Sequence, residues 1–158
     1  MHEATIYSIV YQPEDQEYGE QYDDFIRISV DSVNLVANHG IEGDRKAGRA
    51  PKRQLNLLDC DWVQEQKEKG FNAGPGCFGE QMVIQDLDVF SLKPGDQLQL
   101  GESAIIEITM SRTGCSRLAM AHGDMGKPED PIGMLAKVIE TGKISVGDPV
   151  LVKTEVTS

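Results

Sequence analysis

Short β-patterned runs closed by turn-forming residues recur along nearly the whole chain, and only one stretch between them reads as helix. Residues 5–11 (TIYSIVY) are β-branched and aromatic, and residues 25–30 continue the pattern through Val33 and Leu35. Residues 54–58, 81–84, 97–100, 104–110, 134–140, 143–146 and 150–153 follow. Alternation is cleanest at Gln97-Leu98-Gln99-Leu100 and at 104–110, as expected for strands with one face buried. The helical exception begins at Asp59 or Asp61, either of which can cap it, and passes through Trp62 and Val63 into Glu65-Gln66-Lys67-Glu68-Lys69. Gly70 stands where a helix is stopped. Many short strands, sixteen glycines and one short helix predict a mainly β, barrel-type fold rather than an α/β one.

A small internal echo fits that reading. Pro94-Gly95-Asp96 before 97–100 resembles Val146-Gly147-Asp148 before 150–153. Glycine supplies positive φ and aspartate binds nearby N–H groups, so both read as corners between strands.

The 158 residues suit one domain spanning 1–158. A net charge of −11 argues against nucleic acid as a partner, because that needs a basic footprint. No apolar run approaches bilayer length and the N-terminus lacks a signal-peptide pattern, so a cytoplasmic protein without a membrane partner is expected. Three cysteines without a CxxC pair, and scattered His2, His39 and His122, predict neither a zinc nor an iron–sulfur site. Charge is unevenly placed. Residues 12–24 carry six acids and no base, a solvated loop; residues 45–53 carry five of the fifteen bases (Arg45, Lys46, Arg49, Lys52, Arg53) and no acid.

Three stretches can carry chemistry. One is His39-Gly40-Ile41-Glu42-Gly43-Asp44, leading into that basic run. The second is the glycine-rich turn Gly74-Pro75-Gly76-Cys77-Phe78-Gly79-Glu80. The third is Ser111-Arg112-Thr113-Gly114-Cys115-Ser116-Arg117, just past the 104–110 strand. Turn N–H groups and arginine forks grip anions such as phosphate. A cysteine between Arg112 and Arg117 has the positive surroundings that favour thiolate, the form that attacks or binds soft metal. Cys60 lies between two aspartates that disfavour thiolate and reads as packing or surface. Cys77 ranks behind Cys115, Asp44 reads as a turn former, and His39 and His122 lack partners. Glu80 suits either a ligand-orienting or a capping role.

In order and spacing, these stretches resemble the MOSC domain (molybdenum cofactor sulfurase C-terminal domain). The resemblance runs from about Ile6 to Val152 through GIEGD at 40–44, Arg53-Gln54, PGCFGE at 75–80, LKPGDQLQLG at 92–101, the strand entering Cys115, and KVIETGKISVGD at 137–148. It implies a closed β-barrel similar to the pyruvate kinase barrel domain, and binding of molybdopterin-type cofactor. Cys115 would ligate molybdenum or carry persulfide sulfur. Arg45, Arg49, Lys52 and Arg53 would hold phosphate and pterin, with Gly79, Glu80, Arg112 and Arg117 completing the cofactor site. Where many members have proline before the cysteine this chain has Gly114; where they read Gly-Glu-Asn it has Gly79-Glu80-Gln81; where histidine often follows Gly-Asp it has Arg45-Lys46.

The leading expectation is a cofactor-binding protein that carries or transfers sulfur or the cofactor itself. No pyridoxal phosphate domain is recognisable, so sulfur would come from a partner. The alternatives are a molybdenum-dependent reductase of N-hydroxylated compounds fed by an external redox partner, and a barrel that binds a ligand or protein without chemistry.

Overall fold

The computed structural model describes residues 4–11, 28–44, 47–48, 54–71, 78, 80–112 and 132–153. In chain order the elements are β1 (Thr5–Tyr11), β2 (Ile28–Val30), β3 (Ser32–Val36), β4 (Gly40–Ile41), β5 (Leu55–Asp59), α1 (Cys60–Glu68) and β6 (Met82–Gln85). A 3-10 turn at Val89–Ser91 leads to β7 (Gln97–Leu100), β8 (Ala104–Ser111), β9 (Met134–Glu140), β10 (Gly142–Ser145) and β11 (Val150–Lys153). Eight strands form one sheet in the order β11-β7-β8-β9-β5-β6-β1-β2, and β10-β3-β4 form another. Every pair is antiparallel except β5 and β6, where Leu57 faces Met82. Parallel neighbours need a crossover, and α1 supplies it.

Among the described residues the fold is mainly β with one α-helix, as expected, but the ladder has two ends, β11 and β2, and strand pairing there does not close it into the expected barrel. What joins β1 to the approach of β11 is an isolated bridge between Thr5 and Pro149. Backbone bonds from Ile6 N to Asp148 O (3.0 Å) and from Gly147 N to Ile6 O (2.8 Å) flank it.

Alternation divides the buried side chains between two layers. Leu55 and Leu57 of β5, Met82 and Ile84 of β6, and Ile6 and Ile9 of β1 enter the main core with Leu98, Ile106 and Val138. Leu58 and Val83 point the other way and pack with Phe78 and Ile132 under Trp62 and Val63 of α1. Trp62 meets the edge of Phe78, with ring centroids 5.0 Å apart and planes at 77°, a favourable aromatic arrangement.

The Gly-Asp corners have the same construction. At Gly95 φ is 98° and at Gly147 it is 94°. Asp96 accepts from Lys93 N and Asp148 from Ser145 N, both at 2.8 Å.

Asp59, rather than Asp61, caps α1. One carboxylate oxygen accepts from Trp62 N at 2.7 Å and the other from Val89 N at 3.1 Å, so it ties the helix to the 3-10 turn. Asp59→Ala is expected to cost about 2 kcal/mol in urea unfolding, through a lost cap and a buried N–H left unpaired. Burial raises the Asp59 carboxyl above its ordinary 3.8, more than the two N–H donors lower it. Protonation of Asp59 therefore favours the folded state, an increment separate from the cap that is full below 3.8 and is lost as pH rises through the folded pKa.

Candidate functional site

Two of the expected site residues, Glu80 and Arg112, come from different stretches and meet on the main chain of Phe78. Phe78 is fully buried by its ring, and its N–H donates to Glu80 Oε1 at 3.1 Å. Its carbonyl accepts from the Arg112 guanidinium. Each of the two bonds pairs a main-chain group of Phe78 with an ionisable side chain, the stronger kind of hydrogen bond when that side chain is charged. The main chain of Arg112 is held as well, donating to Gly133 O and accepting from Ile132 N, both at 2.8 Å. The chain thus leaves β8 toward Cys115 from an anchored position.

Beside this pair lies a polar group of β5 that the sequence reading did not single out. Asn56 N donates to Gln81 Oε1 at 2.8 Å, and Gln81 N returns a bond to Asn56 O at 3.0 Å. The Asn56 side chain is 4% exposed, and neither its Oδ1 nor its Nδ2 has a hydrogen-bond partner among the described residues. It lies across Gly133, where an added Cβ would come within 2.1 Å of Oδ1. Gln54 works as Gln81 does, its side-chain oxygen accepting from Val138 N at 2.8 Å. These glutamines fasten strand to strand; no local pattern announces them.

Cys115, Arg45, Arg49, Lys52, Arg53, Gly79 and Arg117 lie outside the described residues, as do Cys77 and His122. Asp44 is buried and forms the turn expected of it, with Asp44 N bonded to Ile41 O and Ala47 N bonded to Asp44 O. Among the described residues, no group of three His, Cys, Asp or Glu could hold a metal, and no helix is long and apolar enough to cross a membrane.

Glu80 also lines a surface cleft of about 370 Å³ between α1 and the β1–β6 pair, with Tyr7, Ser8, Cys60, Asp61 and Lys67. The thiol in this cleft is poorly suited to attack. Burial, then Asp59, Asp61 and Asp86, push Cys60 up to about 11 from 9.0. At pH 8 Cys60 should react with iodoacetamide roughly a hundredfold more slowly than in the urea-unfolded chain, measured by peptide mass spectrometry.

A family model for the MOSC domain matches residues 49–151, and the chain belongs to the MOSC domain family. No curated protein matches it. Among solved structures it is similar to YiiM from Escherichia coli, at 22% identity and TM-score 0.69, covering 98% of this chain and 72% of that one. YiiM from Geobacillus stearothermophilus is 20% identical, with TM-score 0.70 and coverage of 98% and 77%. YuaD from Bacillus subtilis is 17% identical, with TM-score 0.67 and coverage of 97% for both chains. At these identities the likeness is one of fold.

Molybdopterin is the group associated with this family, and most of the residues expected to hold it lie outside the described residues. Arg112 brings a cation to one side. Asn56 brings a buried amide with no hydrogen-bond partner among the described residues, packed against Gly133 with no room for a Cβ between them.

Proposed function

We propose that this protein binds molybdopterin and uses Cys115 to carry sulfur or the loaded cofactor. The observation that carries this reading is the MOSC match over residues 49–151. That span includes Cys115 and every proposed cofactor-holding residue except Arg45. Arg45, Arg49, Lys52 and Arg53 would bind the phosphate and the pterin, and Arg117 would support the Cys115 thiolate. When bound, the cofactor supplies a molybdenum centre able to exchange oxygen or sulfur ligands. The bridge between Thr5 and Pro149 supports a closed barrel as the frame for this site.

Sulfur loading needs no net oxidation. Cys115 thiolate attacks the outer sulfur of a persulfide on a partner protein; the partner's S–S bond breaks as a new one forms on Cys115. The partner leaves as thiolate and the proton stays with the new persulfide or passes to solvent. After exposure to such a donor, peptide mass spectrometry should find one added sulfur on the peptide bearing Cys115. Labelling confined to Cys60 or Cys77 would contradict the role.

A further inference from the structure

We infer that the cleft between α1 and the β1–β6 pair binds a small organic cation, its ammonium set against Asp61 and its body against the Tyr7 ring. The inference does not rest on the cofactor reading, since the proposed cofactor is a phosphate-bearing anion. At about 370 Å³ the cleft has the volume of a small-molecule site. Val63 and Val83 supply apolar lining, and Ser8, Gln64 and Gln85 supply neutral polar groups.

The strand side is built to present an aromatic ring. Ile6 faces Ile84 and Ser8 faces Val83, so Tyr7 is the extra residue of a β-bulge. Neighbours along a regular strand point to opposite faces, yet here Tyr7 and Ser8 both line the cleft. Bulges re-aim side chains in this way beside functional sites. Tyr7 is left 59% exposed, so much of its surface is open to a ligand.

The charge around that ring selects the sign of the occupant. Asp61 lines the cleft from the helix and Glu80 from the turn before β6, against Lys67 alone among the described residues. Burial first, and then Asp59, Asp61 and Asp86, hold the proton on Cys60, which lines the cleft as well. A negative field beside an exposed ring favours a cation, and the ring favours an organic one. Among the described residues no group of three His, Cys, Asp or Glu stands ready for a bare metal ion instead.

The test titrates the full chain with probes of matched size: phenethylamine, neutral phenethyl alcohol and anionic phenylacetate. Calorimetry follows binding to wild type and to Asp61→Asn, Tyr7→Leu and Lys67→Ala. All three positions are exposed, and a thermal midpoint checks that each variant folds. Phenethylamine should bind wild type about tenfold more tightly than either other probe. Asp61→Asn should lose about tenfold and Tyr7→Leu about threefold, while Lys67→Ala, relieved of a like charge, should gain about twofold. Protein from a host that makes molybdopterin should bind the amine as cofactor-free protein does. Phenylacetate binding as tightly as the amine overturns the inference, as does amine binding that Asp61→Asn leaves unchanged. No binding of any probe at millimolar concentration overturns it too. Loss of amine binding on cofactor loading would return the cleft to the cofactor and overturn a separate site.

Discussion

Gly133→Ala should be among the most damaging single substitutions in the described part of the chain. At Gly133 φ is +148°. A Cβ there would stand 2.1 Å from Asn56 Oδ1, 3.0 Å from its Cγ and 3.2 Å from its Nδ2. The main chain of Asn56 is held by its two bonds with Gln81, and the buried layer around its side chain limits how far the amide can turn away. Overpacking and unfavourable φ each cost on the order of 1–3 kcal/mol, so a loss of roughly 2–5 kcal/mol is expected. At this chain length that lowers the thermal midpoint by about 10 °C. Pairing Gly133→Ala with Asn56→Ser should recover the clash but not the backbone cost, so the two changes will not add. A midpoint for Gly133→Ala within about 2 °C of wild type would show that the close approach of Asn56 and Gly133 is wrong.

The second large effect concerns Cys115→Ser. A serine hydroxyl is neither a soft metal ligand nor a sulfur acceptor, so persulfide labelling should fall to background and molybdenum should be lost. The thermal midpoint should stay close to that of wild type, and most of the pterin should remain, because the basic residues at 45–53 proposed to hold it do not depend on the thiol. Unaltered persulfide labelling in Cys115→Ser would move the chemistry to another cysteine.

Much of this framework is legible in the sequence, for identifiable reasons. The strands at 97–100 and 104–111 have one buried face, and alternation reveals them. Gly-Asp marks its two corners because positive φ and a short side-chain acceptor are needed together. Burial and two neighbouring aspartates make Cys60 a poor nucleophile, and those aspartates are visible in the sequence. Other features depend on partners distant in sequence. β4 is two residues long, too short for periodicity to mark. Gln54 and Gln81 look like surface residues, yet each fastens a neighbouring strand, Gln54 across 84 residues to Val138 and Gln81 across 25 to Asn56. Asn56 sits in an otherwise apolar run, and only its orphaned amide draws attention to it. Arg112 is legible as a cation near Cys115, whereas its bond to the Phe78 carbonyl emerges only when β8 is placed beside the glycine-rich turn.

The most direct test of the central claim is the molybdenum and pterin content of wild-type protein purified from a host that makes the cofactor. The account predicts both, close to one per chain, with the molybdenum lost in Cys115→Ser. Protein from that host carrying neither molybdenum nor pterin would contradict the cofactor-binding role.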